Sequence, residues 1–225
     1  MSLTPRLLTR FDDIFYAYDK PAGMAVHQNA EGLPNLVSWL KSQRSLPRDL
    51  KPGHRLDRPT SGVVLCGVGK KARASISEWL QTDSNKRYLA LVAGTPPAQE
   101  GLFDAPLYDA RRKRELEART LYTVRQQFRG FTLLELSLLT GRKHQLRRHL
   151  AAAGLPVVGD DRYGPQKPKR IPGYPHRLWL HAWQLTFGDR TIEAPLPPEL
   201  AQHLAEIEEI LAPGSAAPPQ TQAEE

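Results

Sequence analysis

The chain has 225 residues, 40% of them hydrophobic, so it can bury one well-formed core. Lysine and arginine outnumber aspartate and glutamate by 31 to 24, and the net charge of +7 favours a polyanionic partner, with nucleic acid ahead of an anionic membrane surface. The single cysteine, Cys66, excludes an intramolecular disulfide and a cysteine-rich zinc site. The N-terminal segment lacks the apolar core of a signal peptide and no apolar run could span a bilayer, so we expect a cytoplasmic protein.

Hydrophobic periodicity and turn signals predict alternating strands and helices. The predicted strands are 14–18, 63–68, 87–93, 120–126, 131–139, 178–187 and 192–194. The predicted helices are 34–40, 70–81, one from about 142 to 154, and 198–211. A charged loop or hairpin tip is expected within 109–119. We expect one domain at 1–212 and a disordered tail at 213–225, which is rich in proline, alanine and glutamine.

The stretch 54–62 places one carboxylate, Asp57, between Arg55 and Arg58 and directly before a predicted core strand. A rigid strand behind a polar loop is a usual place for a reactive group. An aspartate in this position can also serve only as a turn former, because Pro59 and Gly62 follow it, and the local sequence favours that simpler interpretation. The rest of the chain must decide between the two.

A second informative stretch, 140–150, predicts a helix with an apolar back and a basic front. With about 100° per residue, the back carries Leu146, His149 and Leu150, and the front carries His144, Arg147 and Arg148. The basic first turn is disfavoured by the helix dipole, by roughly 0.3–1 kcal/mol per charge. A bound phosphate, or a carboxylate from elsewhere in the fold, would relieve this conflict. A solvated basic face is the alternative.

The histidines do not predict a metal site. His144 and His149 are five positions apart, which on a helix separates them by about 140°, whereas zinc-binding pairs on one helix occur at i and i+4. The remaining histidines show no ligand spacing. We therefore expect no metal.

Four motifs occur together in this order: HRLD at 54–57 with TSG at 60–62, KRY at 86–88, GRKHQLR at 141–147, and LHA at 180–182. This set resembles the motifs of RluA-type RNA pseudouridine synthases, and DKPAGM at 19–24 resembles the opening motif of that family. The forms HRLDRPTSG and GRKHQLRRH are most similar to the TruC branch, which acts on a tRNA uridine, although ribosomal branches differ from it by only a few residues. The resemblance covers most of 11–195.

The resemblance implies an α+β fold with a mixed, largely antiparallel sheet, flanking helices and a central cleft. It also implies an isomerase that works without a cofactor on RNA, with tRNA (acceptor-stem and T-arm region) first and ribosomal RNA as the alternative. A non-catalytic RNA-binding or RNA-chaperone module is the alternative of another class. No S4-type RNA-binding domain is recognised, so the basic loops 111–114 and 167–170 are expected to capture RNA. We expect a monomer.

Pseudouridine formation breaks the bond between C1′ and N1 of uridine, turns the base, and joins C1′ to C5. It needs one carboxylate, as nucleophile or as base. By motif position, the resemblance assigns this carboxylate to Asp57, its cationic partner to Arg147, and base stacking to Tyr88, which would otherwise be taken for a core tyrosine. Arg55 is expected to fill the space that the base leaves. Other implied substrate-binding residues are Arg58, Arg142, Lys143, His144 and Arg148. His54 and His181, like His144, are expected to position other groups.

Overall fold

The computed structural model of the protein describes residues 3–28, 32–82, 84–166 and 171–211. The basic loop 167–170 and the tail 213–225 lie outside these residues. The described strands are β1 (Arg6–Phe11), β2 (Phe15–Lys20), β3 (Leu50–Pro52), β4 (Ser61–Val68), β5 (Ser84–Ala93), β6 (Glu100–Phe103), β7 (Leu107–Asp109), β8 (Arg114–Leu116), β9 (Thr120–Phe128), β10 (Phe131–Leu138), β11 (Leu180–Phe187) and β12 (Arg190–Glu193). The described helices are α1 (Leu36–Ser42), α2 (Gly69–Thr82), α3 (Gln145–Ala152) and α4 (Pro198–Leu211). None of these helices is both long and apolar enough to cross a membrane.

Ten of the described strands form one sheet, and β7 and β8 pair with each other. The strand order is β1-β2-β4-β11-β5-β10-β9-β6, with β3 added to β4 and β12 added to β11. Neighbouring strands are antiparallel except β4 and β11, which run parallel. The predicted α+β fold with a mixed, largely antiparallel sheet is confirmed.

Alternating side chains along β2 fill a core on each face of the sheet. Tyr16 and Tyr18 belong to the larger core, which also contains residues of α1, α3 and α4. Phe15 and Ala17 belong to the smaller core, on which α2 packs through the fully buried Ile76. Helix α3, which carries the basic motif, therefore packs on the larger core.

β1, β3 and β6 occur where the sequence predicted no strand, and β7 and β8 form the hairpin whose charged tip was predicted within 109–119. β1 is an edge strand with mostly exposed residues and an irregular register between Leu7 and Thr9, so it lacks the alternating buried face that would have revealed it. β3 contains Pro52, and the sequence predicts no strand between 40 and 63. In the part of the chain that the structure describes, β3 pairs only with β4, and a proline is tolerated in such an edge strand.

Two helices begin later than the sequence predicted. α1 begins at Leu36 because Asn35 caps it, its side chain accepting the Ser38 N–H at 2.9 Å. α3 begins at Gln145 because the Gln145 side chain holds the preceding segment in a turn and accepts the Arg142 N–H at 3.0 Å. The C-terminal end of α3 agrees with the prediction, since Gly154 follows it with a φ of 74°.

β11 lies between β4 and β5, although it follows them by many residues in the chain. In its parallel contact with β4, His181 pairs with Ser61 and Ala182 pairs with Gly62. Gly62 has a φ of 117°, and a Cβ built on it would lie 2.1 Å from the Ala182 carbonyl oxygen. A glycine is therefore required where the loop carrying Asp57 enters the sheet.

Gly62→Ala is expected to lower the free energy of unfolding by roughly 2–6 kcal/mol, because a strained backbone and overcrowding against Ala182 act together. Gly188→Ala is the matched control: Gly188 also has a positive φ, 49°, but a Cβ there meets nothing within 4 Å. The control should lose about 1 kcal/mol. Urea denaturation measures both changes. Equal losses would show that the φ angle alone, rather than the contact with Ala182, makes glycine necessary.

Candidate active site

Asp57 lies in the loop between β3 and β4, at the entrance to a buried strand, as the sequence predicted. Its carbonyl accepts the Thr60 N–H at 3.1 Å, so the residue does begin a turn. His54 fixes the start of the loop, because its Nε2 accepts the Leu65 N–H at 2.9 Å. The turn uses the Asp57 backbone, and the carboxylate, 20% exposed, faces the cleft.

A buried lysine supports the same loop from behind. The Nζ of Lys20 donates to the carbonyls of Met24 at 2.8 Å and Pro21 at 2.9 Å, and reaches the carbonyl of Arg58 at 3.4 Å. Burial, followed by the charge of Arg177, lowers the pKa of Lys20 to about 7. The residue after Asp57 is thus tied to the turn at 21–24. We did not predict this role for Lys20, because it lies beyond the end of the predicted strand 14–18.

Arg147 is buried and faces carboxylates, so the alternative of a solvated basic face does not hold for this residue. Its side chain is 4% exposed and pairs with both oxygens of Asp160, Nε to Oδ2 at 2.7 Å and Nη2 to Oδ1 at 2.6 Å. Its Nη1 lies 3.9 Å from Oδ2 of Asp57. Burial alone would lower the pKa of Arg147, but the hydrogen bond to Asp160 and the charges of Asp160, Asp57 and Asp161 together outweigh burial and raise this pKa. Carboxylates from elsewhere in the fold therefore face this basic residue.

Asp160, which the sequence did not predict as a partner, makes the two shortest contacts with Arg147, whereas the predicted partner Asp57 lies 3.9 Å away. Burial alone would raise the pKa of Asp160, but the Arg147 hydrogen bond and the Tyr163 N–H hold it below its ordinary value. Oδ1 of Asp160 also accepts the N–H groups of Arg162 and Tyr163, each at 3.0 Å. The sequence predicts neither a strand nor a helix for this segment. An acid separated by one residue from the apolar pair at 157–158 was the missed signal.

His144 faces the other oxygen of Asp57. Its Nε2 lies 3.6 Å from Asp57 Oδ1, and its Nδ1 is 2.8 Å from the Tyr163 hydroxyl. Burial lowers the pKa of His144, although the charge of Asp57 acts in the opposite direction. His144 has a left-handed backbone conformation with a φ of 55°. The two oxygens of Asp57 therefore face different groups, an imidazole and a guanidinium.

Tyr88 lies on β5 and is 8% exposed, with its side chain at the wall of the cleft. Burial, together with the negative charge of Asp57, raises the pKa of Tyr88 well above its ordinary value. Tyr88 is therefore a neutral phenol at neutral pH. It is both a core strand residue and a cleft residue, so the two interpretations of the sequence are compatible.

Asp57 lies at the boundary of two cavities of about 740 and 1180 Å³. The larger cavity includes Tyr88. Both cavities are lined by residues from the stretches 54–62 and 140–150. The residues that line both are Arg55, Leu56, Asp57, Lys143, His144, Arg147 and Arg162. Arg58 lines only the smaller cavity, and Arg142 and Arg148 line only the larger one. Every site residue predicted from the sequence thus lies at this cleft.

Two of the predicted substrate-binding arginines also have structural partners. Arg142 Nε donates to the Glu117 carbonyl at 2.9 Å, and Arg148 Nη1 donates to the Tyr108 carbonyl at 3.2 Å. These bonds hold the segment that contains the β7–β8 hairpin. Within the described ranges, no group of three histidine, cysteine, aspartate or glutamate side chains could hold a metal ion.

Lowering the pH from 7 to 5 is expected to destabilise the fold through buried histidines. Burial lowers the pKa of His54 and of His181 from 6.5 to about 4. The unfolded chain therefore binds more protons than the folded chain between these values. Stability should fall as the pH drops below about 6.5, by about 2 kcal/mol per histidine at pH 5. Urea denaturation at both pH values measures this change. His54→Asn should lose one such contribution, and an unchanged pH dependence would contradict the assignment to His54.

Comparison with known proteins connects this geometry to a family. The sequence profile of RNA pseudouridylate synthase matches residues 14–152. The ribosomal large subunit pseudouridine synthase C of Yersinia pestis is 36% identical over 208 residues, which cover 84% of this chain and 65% of that protein. The ribosomal large subunit pseudouridine synthase D of Nitrosomonas europaea is 36% identical over 227 residues, covering 88% and 64%. The structure of human RNA pseudouridylate synthase domain containing 4 aligns with a TM-score of 0.74 and 25% identity, covering 90% of this chain and 92% of that one.

The chain belongs to the RNA pseudouridylate synthase family, and the RluA-type resemblance of its motifs is confirmed. These matches do not separate the TruC branch from the ribosomal branches. The chain spans 65% of the length of the Yersinia pestis relative.

Proposed function

We propose that the protein isomerises uridine to pseudouridine within RNA, with Asp57 as the reactive carboxylate. The observation that carries this proposal is the position of Asp57 at the boundary of two basic cavities, with Arg147 and His144 facing its two oxygens. The family to which the chain belongs supports the reaction type.

The reaction exchanges one bond for another within the nucleotide. The bond from C1′ to N1 breaks and the bond from C1′ to C5 forms, while N1 gains a proton and C5 loses one. Asp57 would begin the reaction either by attack on C1′ or by removing a proton from the sugar. Both routes need an ionised carboxylate, whose desolvation under bound RNA would be offset by the guanidinium of Arg147, 3.9 Å away.

Tyr88 would stack on the target base in the larger cavity. Its neutral phenol suits a stacking surface, since it adds no charge beside Asp57. A target within a stem must first be flipped out, at a cost of a few kcal/mol. Arg55, shared by both cavities, is placed to occupy the space that the base leaves. Arg58 and Lys143 would contact RNA phosphates from the cleft walls.

Large-subunit ribosomal RNA is the first substrate class to test. The named functions of the relatives from Yersinia pestis and Nitrosomonas europaea support it. The forms HRLDRPTSG at 54–62 and GRKHQLRRH at 141–149 support tRNA as the second candidate, which is the class that we predicted from the sequence.

The test is to map pseudouridines in total RNA from cells with and without the gene. Loss of a site from large-subunit ribosomal RNA, with recovery when the gene is restored, is the expected result. A site lost only from tRNA would instead identify the TruC-like function. Unchanged maps in all RNA classes would contradict the proposed activity.

A further inference from the structure

Two exposed apolar side chains line the larger cavity. Seven large hydrophobic side chains are exposed among the residues that the structure describes, and the two most exposed are Tyr108, at 54%, and Leu139, at 50%. Both line the larger cavity. Tyr108 is the only aromatic residue among those seven. Exposed apolar side chains that line a binding cleft are placed to contact a ligand.

Tyr108 belongs to the small hairpin formed by β7 and β8, which is held rigidly against the helix that carries Arg147. Helix α3 and the segment before it donate side-chain hydrogen bonds to backbone carbonyls on both sides of this hairpin. The bonds run from His149 to Ala105 at 3.0 Å, from Arg148 to Tyr108 at 3.2 Å, from Arg142 to Glu117 at 2.9 Å, and from Gln145 to Arg119 at 2.9 Å. The aromatic ring is therefore presented at a fixed place relative to the Asp57 site.

The tip of the hairpin is also preorganised and basic. Oδ1 of Asp109 accepts the N–H groups of Arg111 and Arg112, each at 2.9 Å, which closes the turn. Four consecutive cations, at 111–114, follow this turn. An exposed aromatic ring next to several cations is the combination that proteins use to bind single-stranded nucleic acid, because the ring stacks on a base while the cations contact phosphates.

We propose that Tyr108 is a stacking site for an unpaired base of the RNA substrate, beside the nucleotide that enters the Asp57 site. The inference rests on the proposed function. It adds a requirement on the substrate, which must present an unstacked nucleotide next to its target. A continuous duplex keeps its bases stacked on one another and cannot occupy this site.

The test compares Tyr108→Ala, Tyr108→Phe and the control Leu102→Ala. Leu102 is an exposed apolar residue, 39% accessible, on the edge strand β6 and does not line either cavity. The probes are a short oligouridylate with one central 2-aminopurine, and the same strand annealed to its complement. Fluorescence of the 2-aminopurine reports stacking, and titration gives the dissociation constant. Thermal melting checks that each variant is folded.

Tyr108→Ala should weaken binding of the single-stranded probe by roughly 5- to 150-fold and remove the quenching of 2-aminopurine. Tyr108→Phe should keep the affinity for the single-stranded probe and the quenching of 2-aminopurine. Leu102→Ala should bind and quench like the unsubstituted protein. The salt dependence of binding should be unchanged in Tyr108→Ala but weaker in the Arg111→Ala/Arg112→Ala variant, because only the latter loses phosphate contacts. Equal loss for the single-stranded and duplex probes, or no loss in Tyr108→Ala, would overturn the inference.

Activity on total RNA from cells lacking the gene separates the two proposals. If the original chain forms pseudouridine, Tyr108→Ala should raise KM more than it lowers kcat. An active original chain with an equally active Tyr108→Ala variant would refute only the stacking site. An original chain that binds the probe through Tyr108 but forms no pseudouridine would refute the proposed function and leave the stacking site intact.

Discussion

Asp57→Asn is expected to reduce pseudouridine formation by about a thousandfold or more while the protein remains folded. Asparagine keeps the shape of the side chain and the backbone turn to Thr60, but it can neither attack C1′ nor remove a proton from the sugar. The measurement is the release of tritium from RNA labelled at C5 of uridine. Rescue of cells that lack the gene, scored by pseudouridine mapping, gives the same comparison in vivo.

Asp161→Asn is the matched control for this variant. Asp161 also lies near Arg147, with Oδ1 3.5 Å from Nη2, but its side chain is 89% exposed. Exposed pairs contribute little, so the control should keep its activity within about fivefold. If Asp57→Asn restored the modified site in cells as well as the original chain does, the catalytic assignment would be wrong. The protein would then fit the alternative of a non-catalytic RNA-binding module.

Arg147→Met is expected to lower the free energy of unfolding by roughly 3–5 kcal/mol, because it leaves the carboxylate of Asp160 buried without its cation. The Asp160 side chain is 1% exposed, so solvent cannot replace the lost partner. Activity should also fall, by at least about a hundredfold, because Asp57 loses the adjacent positive charge. Urea denaturation and the tritium-release assay measure the two effects separately.

The double variant Arg147→Met/Asp160→Asn distinguishes support of the fold from support of the reaction. Asparagine at 160 can still accept the N–H groups of Arg162 and Tyr163, but it carries no charge to be neutralised. The double variant should therefore regain most of the lost stability and stay inactive. Recovery of activity together with stability would mean that Arg147 serves only to neutralise Asp160.

Much of the fold could be predicted because its strands and helices have strong periodic patterns. The buried run at 63–68 and the helical stripe at 198–211 occur where the sequence places them. β1 could not be predicted in the same way, since an exposed edge strand has no buried face to leave a pattern. The start of α3 was missed because it depends on one side chain, Gln145, which bonds to the turn before it.

The residues predicted for the candidate site do lie at one cleft, but the main hydrogen-bond partner of Arg147 could not be predicted. The motifs bring Asp57, Tyr88 and Arg147 to one cleft, as expected. The sequence left open whether the basic front of α3 is solvated or faces an anion, because helix periodicity does not show which residues a later loop brings to that face. The loop carrying Asp160 covers that face, and Asp160 accepts two hydrogen bonds from the guanidinium. Lys20 was missed for a related reason, because its partners are backbone carbonyls from two separate loops.

The central position of β11 affects how the protein forms during synthesis. Ser61 and His181, whose side chains bond at 2.9 Å, are 120 residues apart. At a ribosomal rate of about 5–20 residues per second, β11 is synthesised roughly 6–24 s after β4. During that interval β4 and β5 expose unpaired edges in the middle of the future sheet, a state prone to aggregation. Nascent chains should therefore depend on a chaperone, and substitutions in β11 should reduce the soluble yield more than substitutions of similar cost in the edge strand β6.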